Sequence, residues 1–534
     1  MGDLAVSEAV MVRLPAIARF LALLVLALAP ALARAQTVSL HPERLPRLGV
    51  VDERFQSYNV EMAEVIGGMF WKPYLPAHAD GSLPTASGPM FEARPAMDLA
   101  NPRLRKLAAA LGPAYVRVSG SWANTVYFSD TDTPPAKPPP GFRGVLTRAA
   151  WAGVIDFARA VDGDILTSFA IGPGVRNAAG VWTPAQASAL LDYTKSIGGK
   201  IAAVEFFNEP TMSAVGGAPR GYTAKTYGAD TAAFVAMVKA EAPQTLIVGP
   251  SSTGEGMSSP AMLQTLTSDD LLAAAPRQSL DVFSYHFYGA LSQRCAFQGA
   301  QYGTSPDEAL SPAWLSRTDQ VFDFYKALQV KYAPGKPIWV TETAQAACGG
   351  DRWASTFLDS FRYLDQMGRL AQRGVSVIFH NTLAASDYGL IDQQTLEPRP
   401  DYWAALLWKR LMGRVVLDAG PPVGALHVYA HCLRGVSGGV TVLALNTSRT
   451  ESAALAVHPE AEVYVLSAPD LDSTEVQLNG ADLEVLPNGD LPALSPEKAS
   501  STRIKIPPKT ISFIAMTKAN NLSCKASPDL RPPI

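Results

Sequence analysis

Between residues 55 and 385 the chain alternates short, nearly continuous apolar segments with stretches of helical spacing. The apolar segments are 55–63 (FQSYNVEMA), 114–120 (AYVRVSG), 164–172 (DILTSFAIG), 201–209 (IAAVEFFNE), 245–252 (TLIVGPSS), 281–288 (DVFSYHFY), 337–343 (PIWVTET) and 375–383 (VSVIFHNTL). Strands that are apolar on both faces need cover on both faces. Helical stretches such as 102–111 (PRLRKLAAAL) and 184–197 (PAQASALLDYTKSI) supply it. Eight such units predict an α/β chain closed into a (β/α)8 TIM barrel. A doubly wound open sheet is the alternative, weakened by the lack of a glycine-rich phosphate fingerprint.

A length of 534 residues exceeds what one barrel of about 250 residues needs, so a second domain is expected. After residue 415 the texture changes to short strands divided by Gly, Pro, Asn and Asp, among them VGALHVYAHCL, GVTVLALNTS and TISFIAM. This predicts an antiparallel β-sandwich over 415–534, beside a barrel over 55–414. The segment 36–54 is expected to pair with the β-domain. A Pro-rich stretch at 129–142 (SDTDTPPAKPPPGF) reads as an extended, solvated loop.

The N-terminus carries Arg13 and Arg19, an apolar run from Phe20 to Ala33 and the small-residue pattern Ala33-Arg34-Ala35. That is the layout of a secretory signal over 1–35, too short in its apolar run for the roughly 20 residues of a membrane span. A secreted or periplasmic protein without a membrane span after cleavage is therefore expected. Export permits disulfides, and the cysteines Cys295, Cys348, Cys432 and Cys524 allow three pairings. They contain no CxxC spacing, so no metal site is expected. With 17% charged residues and a net charge of −3, the chain lacks the global basic footprint of a nucleic-acid binder.

Ser119, Asn208, Glu209, His286, Tyr288, Glu342 and Asn381 fall at or near the C-terminal ends of the expected strands, the face where this barrel builds its active sites. A carboxylate at the end of an inward strand is costly unless it is paired or working. Glu209 in FFNEP, on strand four, could alone be a structural cap or half of an ion pair. Glu342 in WVTET, on strand seven, changes the balance, because side chains from both strands can converge over the barrel axis. Paired carboxylates across a cleft are what glycoside hydrolysis requires, one protonated and one ionised. No GxSxG elbow at a strand-to-helix turn, no HExxH and no P-loop is present. His286 and His380 are isolated and are expected to make hydrogen bonds rather than bind metal.

FFNEP and WVTETA resemble the acid/base and nucleophile strands of the clan A retaining glycosidases. The chain more closely resembles glycoside hydrolase family 79, the heparanases and related β-glucuronidases. The likeness runs through LGPAYVRVSGS (111–121), LLDYTKSIGGKIAAVEFFNEP (190–210), LDVFSYHFYG (280–289), VTETAQAACGG (340–350) and SDYGLIDQQTLEPRPDYWAALLWKRLMG (386–413). It continues into LHVYAHC (426–432) and VQLNGADLEV (476–485).

The resemblance implies Glu209 as general acid/base, Glu342 as nucleophile, Asn208 on the sugar 2-hydroxyl, and Tyr288 holding Glu342 ionised and oriented. It places the uronate carboxylate against the Tyr388 hydroxyl and the backbone amides of Gly349 and Gly350. Glu61 and Ser121 are candidates for contacts to the sugar hydroxyls. It also implies a Cys432–Cys524 bridge between the tail and the β-domain. Cys295 and Cys348 lie in the loops after strands six and seven, which should be neighbours, so a second bridge is expected there.

The implied activity is that of a heparanase-type retaining β-glucuronidase acting, without a cofactor and as a monomer, on heparan sulfate or a related uronic-acid polysaccharide. An exo-β-glucuronidase and a non-catalytic glycan-binding protein are the alternatives. Animal heparanases carry a long excised linker where this chain has only 129–142, so activity as a single chain is expected. If the signal is processed as read, N-terminal sequencing of the exported protein finds Gln36 first; a start at Met1 or Met11 refutes the signal.

Overall fold

The computed structural model describes residues 37–74, 89–257, 266–457 and 460–526; the signal segment 1–35 lies outside them. Among the described residues no helix is long and apolar enough to cross a membrane. The apolar segments pair as parallel strands: β1 (Gln56–Asn59), β2 (Ala114–Val118), β3 (Gly163–Ser168), β4 (Ile201–Glu205), β5 (Leu246–Ser252), β6 (Val282–Tyr288), β7 (Ile338–Ala344) and β8 (Val375–His380). Each bonds to the next, and β8 returns to β1 through the partners Ile378 with Gln56 and His380 with Tyr58, so the barrel is closed.

A helix follows each strand: α1 (Pro102–Ala110), α2 (Arg148–Ala160), α3 (Ala185–Ser196), α4 (Ala224–Glu241), α5 (Ser268–Ala274), α6 (Arg317–Tyr332), α7 (Phe357–Gln372) and α8 (Pro400–Leu411). Their starts are set by local chemistry. Asn101 accepts from the amides of Arg103 and Leu104 with Pro102 in the first turn, and Thr147 accepts from Ala150, satisfying donors that a helix start leaves free.

Strand alternation divides the barrel's apolar residues between two compartments. Val116, Ile165, Val204, Ile247 and Phe283 belong to the large core shared with the helices. Tyr115, Leu166, Ala203, Val248, Val282, Trp339, Val377 and Phe379 form a separate cluster contributed by seven strands, the packed interior of a barrel. Two residues further along their strands, the same inward rows turn polar at Arg117, Ser168, Glu205 and Ser284, all buried. The apolar plug is thus the floor on which a polar site stands.

The main sheet of the β-domain contains β9 (Met412–Leu417), β10 (Leu426–Leu433), β11 (Val440–Asn446), β12 (Glu462–Ser467) and β13 (Thr510–Met516). It begins at Met412, slightly before the expected 415. Its order is Arg47–Val50, β9, β10, β11, β13, β12 and then the short strands Gln477–Leu478 and Ala481–Asp482. A second sheet joins Thr37–Ser39, Ala453–Ala456 and Arg503–Ile506. Leu417, Val428, Val442, Leu455, Ile506 and Ile514 fill the layer between the two sheets. The segment before the barrel therefore supplies a strand to each sheet. Cys432 on β10 and Cys524 are bonded, with Cα atoms 5.3 Å apart.

The other face of the main sheet packs on the barrel through α7. Asp365 on α7 accepts from Tyr429 and from His427 Nδ1 at 2.5 Å each, and from Arg369 Nε at 2.6 Å. Burial would raise the Asp365 carboxyl, but His427, Arg369 and Tyr429 outweigh it and hold it below the usual carboxylate range. Gly368 lies directly on the Tyr429 ring: a Cβ there would sit 2.3 Å from a ring carbon. Gly368→Ala should therefore lose stability by about 1–3 kcal/mol through overpacking, despite alanine's better helix propensity of about 1 kcal/mol, a sign that urea unfolding reads directly.

Candidate active site

Glu209 is not on a strand. β4 ends at Glu205, and Asn208 and Glu209 stand on the turn that follows. Alternation breaks after Glu205 because Phe206 and Phe207 are both buried. Phe206 packs against Trp182 and Phe234, and Phe207 against Tyr222 and Tyr227. Asn124 clasps the turn, accepting from the Asn208 amide at 3.0 Å and donating to the Asn208 carbonyl at 3.0 Å and to Gly216 at 2.8 Å. Glu209 takes a left-handed conformation at φ 52° before Pro210, which brings its carboxyl back over the barrel mouth.

Below the mouth lies Arg117, fully buried on β2. Its guanidinium donates to Glu205 Oε1 from Nη2 at 2.6 Å, to Glu342 Oε2 from Nη1 at 2.9 Å and to Asn208 Oδ1 from Nη2 at 2.7 Å. Ser119 and Ser251 complete the shell of Glu205, each at 2.6 Å. Burial opposes ionisation of Glu205, but Arg117, then His286 and the serine hydroxyls, hold its carboxyl below the usual range. Glu342 on β7 also accepts from the Tyr288 hydroxyl at 2.6 Å. Asn381 donates to Tyr288 at 2.9 Å and to Tyr388 at 3.2 Å, and accepts from Asn59 at 3.2 Å.

His286 bridges the carboxylates. Its Nδ1 is 3.1 Å from Glu209 Oε1 and 3.7 Å from Glu342 Oε2, and its Nε2 faces Arg117 Nη2 at 3.4 Å. A guanidinium can only donate, so Nε2 is the acceptor and Nδ1 carries the proton toward Glu209. Burial lowers the His286 pKa to about 4, leaving the ring neutral. One ligand-type atom from each of Glu209, His286 and Glu342 lies within 4.8 Å of the other two. These are the residues that could hold a cation, but the adjoining guanidinium already occupies Glu342 and repels a second positive charge. One carboxylate oxygen of Glu209 and one of Glu342 therefore lie within 4.8 Å of each other, which is compatible with the about 5–5.5 Å separation of a nucleophile and acid pair.

Their environments differ in the way paired carboxyls need. Burial raises the Glu209 pKa to about 7, with Arg117 opposing, so this group carries a proton near neutrality. Glu342, between Arg117 and Tyr288, sits among donors. Such a pair can protonate a leaving oxygen and attack a carbon.

The other expected site residues surround this pair. Ser121 Oγ accepts from Asn208 Nδ2 at 3.2 Å. Glu61 follows β1 at the start of the short helix Met62–Ile66, its carboxyl pressed against Gly120 and its Oε2 buried without a hydrogen-bond partner among the described residues. Burial, then the Glu342 charge, pushes the Glu61 carboxyl well above the usual range, so it can donate a hydrogen bond. Tyr388 is buried, and His380 Nε2 donates to its carbonyl at 2.6 Å. Burial, Glu61 and Glu342 keep the Tyr388 hydroxyl protonated.

Cys348, Gly349 and Gly350 all have positive φ, at 63°, 83° and 78°. A Cβ on Gly349 would meet Trp71 Cβ at 2.7 Å, and one on Gly350 would meet Tyr388 Cβ at 3.2 Å, so the turn packs beside Tyr388. The Gly350 amide donates to Ala346 at 3.2 Å; Gly349 supplies the unengaged amide of the two among the described residues. Cys348 is bonded to Cys295, with Cα atoms 6.4 Å apart, as loop adjacency predicts.

Residues 93–368 match the family model described as "Glycosyl hydrolase family 79, N-terminal domain". The chain belongs to glycosyl hydrolase family 79. As a family 79 glycosidase it is 28% identical over 490 residues to heparanase-like protein 1 of Arabidopsis thaliana, covering 80% of this chain and 86% of that one. It is 27% identical over 481 residues to the hyaluronoglucuronidase of Hirudo nipponia, covering 80% of this chain and 92% of that one. The fold is shared with the GH51 arabinofuranosidase from Xanthomonas axonopodis pv. citri, at a TM-score of 0.59 and 15% identity over 90% of this chain and all of that one.

The buried centre of this family 79 site, Arg117 with Glu205, did not emerge from the sequence reading. The signal was present: each is a charged residue in an apolar strand, two positions beyond Tyr115 or Ala203 on the inward row. Arg117→Met should destabilise the protein by about 3–5 kcal/mol, because Glu205 and Glu342 would keep buried charges without a counterion; guanidinium unfolding measures the loss.

Proposed function

We propose that the protein is a retaining β-glucuronidase of the heparanase type, exported by its signal and active as a single chain on glucuronosyl linkages of heparan sulfate or related glycans. What supports this reading is that Tyr388 shares Asn381 with Tyr288, the donor to Glu342, and that the turn with the unengaged Gly349 amide packs beside Tyr388, a corner of neutral donors suited to a uronate carboxylate. Neutral donors bind a carboxylate without setting a second full charge beside the nucleophile.

In the first step Glu342 attacks the anomeric carbon while Glu209 gives its proton to the departing oxygen. In the second, water attacks the glycosyl-Glu342 ester as Glu209 takes up the proton, and Glu342 leaves as carboxylate. Tyr288 and Arg117 keep Glu342 aimed, and Asn208, held by Arg117 and Ser121, faces the sugar 2-hydroxyl.

An exo-acting β-glucuronidase is the second reading. The antiparallel pair Gly68–Trp71 and Phe91–Arg94 stands over the corner, with Trp71 packed on Phe91 at 4.5 Å and edge-on to Trp122 at 6.4 Å between ring centroids. This aromatic wall favours a single sugar behind the scissile bond. Digestion of heparan sulfate decides: internal cuts shorten the polymer early, whereas exo action releases only free glucuronic acid.

Glu342→Gln should abolish release of nitrophenol from 4-nitrophenyl β-D-glucuronide while glucuronide binding, followed calorimetrically, persists; normal turnover would refute the nucleophile. The alkaline limb of kcat/KM should have a midpoint near the Glu209 pKa of about 7, with activity lost as pH rises through it and the acid deprotonates. That limb should vanish in Glu209→Gln assayed with the same activated substrate, and its persistence would move the acid role elsewhere.

A further inference from the structure

Arg294 lies in the loop after β6, immediately before Cys295, whose disulfide reaches Cys348 immediately before Gly349. Its side chain is 6% exposed, and the hydrogen bonds it donates fall on one small region. Nη1 donates to the Cys348 carbonyl at 3.1 Å and to the Gly350 carbonyl; Nη2 donates to Asp387 Oδ2, and Nε to the Lys72 carbonyl at 3.0 Å. The guanidinium lies over the Tyr74 ring, 3.8 Å from its centroid. The Tyr74 amide in turn donates to Asp387 at 3.2 Å, and Asp387 directly precedes Tyr388. The Cys348 carbonyl also accepts from Ser292 Oγ at 3.0 Å.

The Cys348 carbonyl and the Gly349 amide belong to one peptide plane, and in a trans peptide the C=O and N–H point in opposite directions. A cation fixed on the carbonyl side therefore directs the N–H away from itself. It also strengthens that N–H as a donor, because hydrogen bonds polarise one another across an amide. Asp387 balances the charge locally, so the nucleophile is not faced with a further free cation.

We propose that Arg294 is a positioning residue that sets selectivity for uronic acids by aiming and polarising the Gly349 N–H through the Cys348–Gly349 peptide. This rests on the glucuronidase reading above, with a recognising cation that never touches the sugar. A full charge in direct contact would bind any anion strongly. A cation behind a peptide bond rewards only a carboxylate placed along one N–H direction.

The test compares 4-nitrophenyl β-D-glucuronide with 4-nitrophenyl β-D-glucoside, which lacks the carboxylate. In Arg294→Met the glucuronide-to-glucoside ratio of kcat/KM should fall by about tenfold or more, through a higher KM for the glucuronide, with glucoside hydrolysis changed by less than about twofold. Arg294→Lys should recover part of the ratio, since an ammonium reaches fewer of the acceptors. An unchanged ratio, or an equal loss on both substrates, overturns the proposal in favour of a purely structural clamp. Should Arg294→Met not fold, Asp387→Asn keeps the guanidinium but loosens its anchor, and a ratio lowered by less than about threefold would likewise overturn it. Wild-type enzyme that does not prefer the glucuronide defeats the glucuronidase reading itself. Wild-type preference with an unmoved variant ratio defeats only the role of Arg294.

Discussion

The site depends on a single buried guanidinium. Arg117 bonds to Glu205 beneath it, to Glu342 beside it and to Asn208 above it, and approaches His286 on the remaining side. Three carboxyls and a histidine crowd the same few ångströms of barrel lumen. Without this cation their mutual repulsion and desolvation would disperse or neutralise them. With it, Glu205 is committed as a structural anion, and Glu209, outside hydrogen-bonding reach of the guanidinium, keeps its proton to higher pH. The division of labour between the two carboxyls at the mouth is thus imposed from below.

A second layer works at longer range. The Gly349 amide and the Tyr388 hydroxyl are placed by residues on their far sides: Arg294 on the Cys348 carbonyl, His380 on the Tyr388 carbonyl and Asn381 on both tyrosine hydroxyls. On the function proposed above, the two groups that would meet a uronate carboxylate are neutral, while the charges that orient them are compensated on their far sides.

The eight strands were legible because each is a near-continuous apolar run, and the polar residues at their ends marked the correct mouth. The carboxylates of FFNEP and WVTET were legible through their spacing of three barrel units. The exact seat of Glu209 was not, because whether Phe206 and Phe207 extend β4 or anchor a turn depends on Trp182, Tyr222, Tyr227 and Phe234, far away in sequence. Arg117 and Glu205 could have been read from the inward register; Arg294 could not. Its partners come from three separate loops, those after β1, β7 and β8; the expected Cys295–Cys348 bridge brings residue 294 close to 348, but nothing local in the sequence says which atoms the guanidinium meets there.

The pairing of Arg47–Val50 with β9, in which Val50 lies opposite Val415, has a consequence for how the chain reaches this structure. Topologically the barrel is an insertion between two neighbouring strands of the β-domain. The first strands to leave a ribosome have no partners until the whole barrel has been made, and the sheet is completed only when β13 joins it. The β-domain therefore cannot be completed before the barrel has been made, although it holds the beginning of the described chain. Deleting it would strip the barrel of the sheet on α7 and leave strands at the other end with nothing to pair against.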